Sequence, residues 1–418
     1  MNMQRALRSK PLPMKVLGIV AEYNPLHNGH LYHIDRAKRE ACADAVIAVM
    51  SGDFVQRGEL AFASKWDRAE SAVKNGIDAV FEIPAFACLG NASVYASTAI
   101  KLLAAIGVVD VISFGSESGN IDKLTMVAER LSDSRISDRM VELAREGYSY
   151  PRSRAAAYSE FFGDDGESVL HGANDTLAIE YIRAITEFNK CTEHELEVHT
   201  IKREAAGYSA RFDTSRKFQS ASGIRQAARQ GIDVSEFVPD ESAKLISSYF
   251  SERADTIDDK LFDLIRYVLL NLNASQIDEA PQGGEGIGTR LIEAVSRCKS
   301  FDELVMHAKS KRYTYTRISR LLLQLLLNIK RDEPGVCEPG YLRVLAANET
   351  GRKLIKKAKK NSLNDIPIIT NINREANELS DSANSQLLLD IRAADTYNIL
   401  TMNDMYEESD HVKRPILL

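Results

Sequence analysis

Two histidines follow an apolar segment at a point where they could act on a phosphate group. His27 and His30 are separated by Asn28 and Gly29, and they come after a predicted strand at 16–21 that an Asn-Pro pair ends. Gly29 lets the backbone approach a ligand closely, and the start of the helix near His30 offers free N–H groups to an anion. Both imidazoles can donate hydrogen bonds as charge moves onto a leaving pyrophosphate. The pattern predicts adenylyl transfer without a covalent enzyme intermediate.

A histidine pair at this spacing can also bind a metal ion or lie on the surface without a function. No nearby cysteine or carboxylate has the spacing of a metal ligand set. The pair also follows the first strand of an alternating α/β pattern, where ligands bind at the carboxyl ends of strands. We therefore favour phosphate contact over metal binding and predict no dedicated metal site.

The elements that position these side chains alternate between apolar strands and amphipathic helices. Strands are predicted at 16–21, 45–50, 79–83 and 109–114, and helices at 30–42, 65–75 and 93–105. This alternation predicts an α/β fold with a Rossmann-like parallel sheet. A helical insertion follows at about 120–190, and then a strand at 196–201 and a helix at 220–229. The sheet is expected to be complete near residue 231.

The second half of the chain is predicted to be mostly helical. Helices are expected at 260–272, 289–298, 301–310, 315–329 and 384–398. Residues 281–288 are rich in glycine but lack the spacing of a Walker loop, so a hinge or turn is predicted there. We expect an α/β domain at 14–235 followed by an α-rich C-terminal domain at 240–418.

The composition is that of a soluble globular protein. Hydrophobic residues make up 44% and charged residues 27% of the chain. The longest candidate for a membrane helix, at 321–327, is far shorter than the roughly 20 residues that such a helix needs. The five cysteines are scattered without a CxxC pair, which argues against disulfides or zinc. Residues 1–13 are basic and polar, so we predict a disordered leader and a cytoplasmic protein.

The charge pattern restricts where RNA could bind. A net charge of −6 argues against indiscriminate nucleic-acid binding, so an RNA site must be a local basic patch. Residues 309–331 contain no acidic residue, and tyrosines among their cations can stack on unpaired bases. The predicted RNA contacts are Lys309, Lys311, Arg312, Tyr313, Tyr315, Arg317 and Arg320. A second basic cluster at 352–360 is explained equally well as a solvated helix face or as an RNA contact.

Several motifs resemble a known family. The run PLHNGH at 25–30 resembles the histidine signature of the nucleotidyltransferase superfamily, which includes class I tRNA synthetases and small adenylyltransferases. Four more segments resemble the bacterial tRNA(Met) cytidine acetate ligases: MSGDFVQRGE at 50–59, SKW at 64–66, FGSE at 114–117 and KRYTYTRISR at 311–320. These matches extend from about residue 14 to near the C-terminus.

The resemblance implies an ATP site. Mg²⁺ is expected to accompany ATP on general grounds, because it neutralises phosphate charge. The implied ATP contacts are Val20, Ala21, Glu22, Tyr23, Asn24, Pro25, Leu26, His27, Asn28, Gly29, His30, Leu31, Tyr32, His33, Gly115, Asn174 and Arg203. Asn174 could instead be a helix N-cap. Ser220, Ser222 and Arg225 resemble a phosphate-binding serine motif, but Ala221 separates the serines, and an ordinary capped helix explains them equally well. Lys65 is a further candidate for phosphate contact, and Asp53 for orienting a histidine or a metal-bound water.

The activity implied by the resemblance is an ATP-dependent ligation. Acetate would be activated as acetyl-adenylate and transferred to N4 of the wobble cytidine of elongator tRNA(Met). The alternative is a small-molecule adenylyltransferase acting on a phosphorylated cofactor precursor, although the long helical C-terminal region counts against it. A non-catalytic RNA-binding module would leave the two histidines without a role. Neither a membrane nor a protein partner is implied.

Overall fold

The computed structural model describes residues 14–204, 212–252, 254–332, 338–360 and 366–418. The strands are β1 (Val16–Ala21), β2 (Ala45–Ser51), β3 (Phe54–Val55), β4 (Glu59–Leu60), β5 (Ala79–Ile83), β6 (Val111–Ser116), β7 (Glu197–Lys202), β8 (Leu342–Ala347), β9 (Ile368–Ile369) and β10 (Ile416–Leu417). The predicted leader at 1–13 and Cys337 lie outside the described residues.

Helices surround these strands along the whole described chain. In the first half they are α1 (Asn28–Glu40), α2 (Lys65–Lys74), α3 (Ala85–Cys88), α4 (Ala92–Ala105), α5 (Ile121–Arg130), α6 (Ser134–Arg145), α7 (Tyr150–Phe162), α8 (Ala173–Asn189) and α9 (Ala221–Arg229). In the second half they are α10 (Asp240–Glu252), α11 (Ala254–Leu270), α12 (Ala274–Asp278), α13 (Ile287–Val295), α14 (Phe301–Ala308), α15 (Tyr315–Leu326), α16 (Glu349–Ala358), α17 (Ile372–Glu375) and α18 (Asp381–Thr401).

The central sheet has the strand order β10-β8-β5-β2-β1-β6-β7, and β9 pairs with β8. All neighbouring strands are parallel except β5 and β8. From β1 the chain builds β2 and β5 on one side and then returns to place β6 and β7 on the other. This reversal opens a crevice at the carboxyl ends of β1 and β6, where open α/β sheets bind ligands. The predicted α/β fold is confirmed.

Burial explains why these segments form central strands. Every residue of β2, β5 and β8 is buried, so their apolar runs are covered on both faces, as parallel-sheet strands require. In β1, a Cβ atom added to Gly18 would come within 2.9 Å of the Val109 side chain. Glycine at this position therefore lets the segment before β6 pack against β1.

The helical insertion predicted between β6 and β7 is confirmed as α5 to α8. Its last helix, α8, packs against α4 and also contacts β6. The insertion is therefore joined to the sheet by the same helix that leads the chain towards β7. The other predicted helices of the first half, α1, α2, α4 and α9, are also present, with ends that shift by up to two residues.

The expectation that the sheet is complete near residue 231 is wrong. Two strands from the second half, β8 and β10, join the same sheet, and β8 pairs with β5 in antiparallel orientation. The sequence of β8, LRVLAA, is also a good helix sequence, and its partner lies more than 250 residues earlier in the chain. The predicted domain boundaries at 235 and 240 stay a prediction. No helix in the described part of the chain has the length and apolarity to cross a membrane.

Candidate active site

A cavity of about 210 Å³ lies at the carboxyl ends of β1 and β6. It brings together most of the side chains that were predicted to contact ATP. The predicted residues that line it are Val20, Ala21, Glu22, Tyr23, Asn24, His27, Gly29, His30, Tyr32, His33, Gly115, Asn174, Arg203, Ser220, Ser222 and Arg225. Pro25, Leu26, Asn28, Leu31 and Lys65 do not line it. The convergence follows from the topology, since β1, β6 and β7 end at the same edge of the sheet.

The two predicted catalytic histidines form the start of α1. His27 is the N-cap residue, and its Nδ1 accepts a hydrogen bond from the Gly29 N–H at 3.1 Å. His30 Nδ1 accepts from the backbone N–H of His27 at 3.3 Å, so the two side chains form a reciprocal capping box. A neutral imidazole that accepts at Nδ1 carries its proton at Nε2. The helix cap thus fixes both histidines in the tautomer that can donate from Nε2.

Burial keeps this pair uncharged. The rings of His27 and His30 are stacked with their centroids 3.7 Å apart, and the Tyr23 ring meets His30 edge-on at 5.2 Å. Burial, with a smaller contribution from the nearby Arg203, lowers the pKa of His27 to about 3. Burial, followed by the neighbouring His27, Arg203 and His33, also holds the pKa of His30 well below its usual value. Both histidines are therefore neutral donors at physiological pH.

Two buried polar atoms at the cavity lack a hydrogen-bond partner within the described ranges. They are Tyr23 Oη and Asn24 Nδ2, and both residues line the cavity. Burying a donor without a partner costs about 1–3 kcal/mol, so each of these two groups would gain from a partner such as a water molecule or a ligand. The protonated Nε2 atoms of His27 and His30 add two further donors among the residues that line the cavity.

A second helix start faces the same cavity. Ser220 caps α9 by accepting from the Gly223 N–H at 3.1 Å, and its Oγ lies 3.3 Å from the Oγ of Ser222. The N-termini of α1 and α9 therefore both direct partial positive charge into the cavity, as an anion site requires. The capped-helix interpretation of the serine motif is confirmed. Phosphate contact at this helix start stays a prediction, and the geometry is compatible with both.

Arg225 and Arg203 are the two predicted arginines that line the cavity. Arg225 Nη1 donates to the carbonyl of Asn24 at 2.6 Å, and its other nitrogen pairs with Glu59. Arg203 follows β7 and crosses above Gly115, where an added Cβ would lie 3.3 Å from the Arg203 Cγ. The glycine in the FGSE motif thus makes room for this arginine, while its predicted contact with ATP stays a prediction.

Asn174 is not an N-cap, because Gly172 occupies that position in α8. The Asn174 side chain donates to Glu117 Oε1 at 2.7 Å, and the Glu117 carboxylate also accepts the N–H groups of Asn174 and Asp175. Glu117, the last residue of the FGSE motif, therefore caps α8 from the end of β6. This contact holds Asn174 at the edge of the cavity.

The structure contradicts the suggested roles of Lys65 and Asp53. Lys65 Nζ is buried away from the cavity, 2.8 Å from Glu82 and 2.7 Å from Asp410. Asp53 accepts the backbone N–H of Lys65 at 2.7 Å, and burial raises its pKa to about 6. These residues, with Arg343 of β8, form a buried ionic cluster that ties the C-terminal segment to the sheet. Lys65 is therefore a structural cation and not a phosphate ligand.

Several residues of the cavity wall carried no predicted role. Phe114 and Tyr181 face each other at 5.5 Å and, with Leu177 and Ile201, form an apolar wall suited to a base. Tyr181 and Leu177 come from α8, on which the predicted Asn174 also lies. Leu177 and Tyr181 follow Asn174 by three and seven residues, and residues at this spacing share one helix face. This spacing was the signal from which both could have been predicted. The remaining missed residues are Ile19, Gln56, Arg57, Glu59, Tyr95, Lys202, Glu204, Phe218 and Ala221.

The predicted RNA patch is only partly exposed. Tyr313 and Arg320 are 5% and 8% exposed, and Arg320 Nη1 donates to the Gln56 carbonyl. They are therefore fixed in the protein, which corrects their assignment as surface contacts for RNA. Lys309 and Lys311 are exposed, whereas Arg312, Tyr315 and Arg317 are half-buried. Within the described ranges no group of three or more His, Cys, Asp or Glu side chains could hold a metal ion.

The fold and the cavity together define a nucleotidyltransferase with its histidine pair at a helix start. Residues 14–412 match the family model described as HIGH Nucleotidyl Transferase. A tRNA(Met) cytidine acetate ligase from Clostridium novyi (strain NT) is 34% identical, covering 97% of this chain and 100% of the relative. One from Caldanaerobacter subterraneus subsp. tengcongensis is 36% identical, covering 93% of this chain and 96% of the relative.

Solved structures agree with these relatives. Thermotoga maritima TmcAL in an apo crystal form matches with a TM-score of 0.86 at 31% identity, covering 97% of this chain and 100% of that chain. The same protein bound with alpha-thio ATP matches with a TM-score of 0.84 at the same identity and coverage. The chain therefore belongs to the HIGH nucleotidyltransferase family and, within it, to the tRNA(Met) cytidine acetate ligases.

Proposed function

We propose that this protein is an ATP-dependent ligase that activates acetate and acetylates N4 of the wobble cytidine in elongator tRNA(Met). The observation that carries the proposal is the pair of neutral, Nε2-protonated histidines beside two converging helix N-termini. The relatives that match nearly the whole chain are tRNA(Met) cytidine acetate ligases, and a structural neighbour binds an ATP analogue. This agreement favours the ligase over a small-molecule adenylyltransferase.

The first step forms the activated acyl group. An acetate oxygen attacks the α-phosphorus of ATP, and the bond to the bridging oxygen of pyrophosphate breaks. The Nε2–H groups of His27 and His30 stabilise the charge that develops on the phosphate oxygens by donating hydrogen bonds as neutral imidazoles. Mg²⁺ bound with ATP would neutralise further phosphate charge. The products are acetyl-adenylate and pyrophosphate.

The second step transfers the acetyl group to RNA. The N4 amine attacks the acetyl carbonyl carbon, the bond to the adenylate oxygen breaks, and AMP leaves while the amine loses one proton. This amine is a poor nucleophile because its lone pair is delocalised into the ring, which explains the need for an activated acetyl group. The exposed Lys309 and Lys311 would attract the phosphates of the tRNA.

The test combines the protein with ATP, Mg²⁺, radiolabelled acetate and total bacterial tRNA in the absence of acetyl-CoA. We expect label in N4-acetylcytidine after digestion of the RNA, and no label with a variant that carries alanine at His27 and His30. If a folded protein binds ATP but incorporates no label, the small-molecule adenylyltransferase becomes the better explanation. Acetate-dependent exchange of pyrophosphate into ATP measures the first step alone.

A further inference from the structure

A second cavity of about 360 Å³ adjoins the active-site cavity. It lies between β4 and α9 on one side and α10, α11 and the first residues of α14 and α15 on the other. Glu59, Ser222 and Arg225 line both cavities, so these three residues form a shared wall. A group held in the second cavity would thus lie next to the place where acetyl-adenylate forms.

Aromatic side chains give the second cavity faces on which a nucleobase can stack. The rings of Tyr249 and Phe250 meet edge-to-face at 4.9 Å, and Phe62 packs against Tyr249 at 6.2 Å. Tyr315, half-buried at the start of α15, adds a further ring and is bonded to Asp302. Proteins that bind unpaired RNA use aromatic side chains in this way, since every base offers a π face.

Ion pairs at the edge of the cavity place donors beside acceptors. Arg225 pairs with Glu59 in the shared wall, and Arg229 pairs with Asp258 at 2.7 Å. Cytosine offers two acceptors, N3 and O2, next to one amine donor, N4, so a guanidinium beside a carboxylate matches this edge. Uracil carries a carbonyl oxygen where cytosine has its amine, and that oxygen would face a carboxylate. The charges therefore favour cytosine.

We propose that the second cavity holds the unstacked cytidine of the tRNA, with its ring against Tyr249 and its N4 amine directed past Glu59 into the active-site cavity. The inference rests on the proposed function and adds a base-binding subsite to it. Tyr315 connects this subsite to the exposed Lys309 and Lys311, which lie in the segment just before α15. RNA bound at that segment would have its unpaired base close to the cavity.

Photocrosslinking tests the location without requiring any acetylation. A synthetic anticodon stem-loop with 5-bromocytidine at the wobble position is irradiated with the full-length protein, and the crosslinked peptide is identified by mass spectrometry. We expect the crosslink on the α10 peptide that contains Tyr249 and Phe250. A crosslink that maps only to other parts of the protein overturns the inference, whether or not the protein acetylates tRNA.

Two variants of one side chain test the stacking. Tyr249→Leu should raise the KM for tRNA about tenfold or more, as expected from losing a stacking partner worth about 1–3 kcal/mol. Tyr249→Phe keeps the ring and should have the KM of the unaltered protein. Acetate-dependent pyrophosphate exchange should stay the same in both variants, which shows that the first step and the fold are intact. An unchanged KM for Tyr249→Leu with normal exchange overturns the inference.

A third variant covers the case in which Tyr249→Leu fails to fold. Asp258→Asn alters the half-exposed pair with Arg229 and should raise the KM for tRNA several-fold, again without an effect on pyrophosphate exchange. A normal KM for this variant, together with a crosslink outside α10, overturns the inference. If the unaltered protein does not acetylate tRNA at all, the proposed function fails, and the crosslink still reports whether the cavity binds a cytosine.

Discussion

Replacing His27 with asparagine separates the two roles that the structure gives this residue. Asparagine Oδ1 can take the place of the imidazole Nδ1, which caps α1 at the Gly29 N–H. Because asparagine is among the best N-cap residues, the free energy of unfolding should stay within about 0.5 kcal/mol of its original value. Asparagine has no donor at the position of Nε2, however. Removing one preorganised donor from a developing oxyanion costs about 2.7–4 kcal/mol, a factor of about 10²–10³ in kcat.

The assay for this variant is acetate-dependent exchange of labelled pyrophosphate into ATP, with unfolding in urea measured on the same preparations. We expect a loss of exchange by about 10²–10³ with little change in the KM for ATP. His171→Asn is the matched control, because His171 is exposed and lies outside the cavity. If His27→Asn keeps its exchange activity within threefold at unchanged stability, the Nε2 donor is not used. If its stability falls instead, the capping argument fails.

Three further predictions follow from the same geometry. The unfolded chain takes up a proton on His27 below about pH 6.5 but the folded protein does so only near pH 3, so His27 should lower the free energy of unfolding by about 2 kcal/mol between pH 7 and 5. Because the lowered pKa of His30 causes a loss of its own, urea unfolding at the two pH values should show a loss that is smaller by about 2 kcal/mol in His27→Asn than in the unaltered protein; an equal loss in the variant would contradict the assignment. Gly115→Ala should raise the KM for ATP several-fold at unchanged stability, because the new methyl group crowds Arg203; a normal KM would show that this space is not needed. Lys65→Met should reduce the free energy of unfolding by about 3–5 kcal/mol, since it leaves the buried carboxylates of Asp53, Glu82 and Asp410 with Arg343 as their remaining cation in the cluster. Pyrophosphate exchange per folded molecule should be unaffected; a selective loss of exchange would restore Lys65 as a phosphate ligand.

Local patterns were sufficient to predict the catalytic half of the fold. The apolar run of β1, the break at Asn24 and the helix start at His27 lie within one short segment, so the sequence order already placed the histidines at the end of a strand. The alternation of strands and helices then predicted the parallel sheet, and the switch in strand order explains why Gly115 and Arg203 reach the same cavity. These features depend on periodicity and turn residues that are visible over 10 to 20 positions.

The errors all concern contacts between distant parts of the chain. Lys65 reads as a free cation beside a conspicuous motif, and only its contact with Asp410, more than 300 residues later, shows that it is neutralised. Arg320 and Tyr313 lie in a basic stretch, yet packing of α15 against the β3–β4 hairpin buries the arginine. A charge pattern shows which side chains carry a charge, but it does not show which face of a helix packs against the rest of the protein.

The sequence by itself thus determined the local arrangement of the site: a histidine pair and a glycine at a helix start after a buried strand. The tertiary structure decided which cations are available, which tautomer the histidines adopt, and that strands near the C-terminus complete the sheet. The reason is physical. Helix and strand periodicity acts between neighbours in the chain, whereas burial and ion pairing depend on which distant segments exclude water from each other.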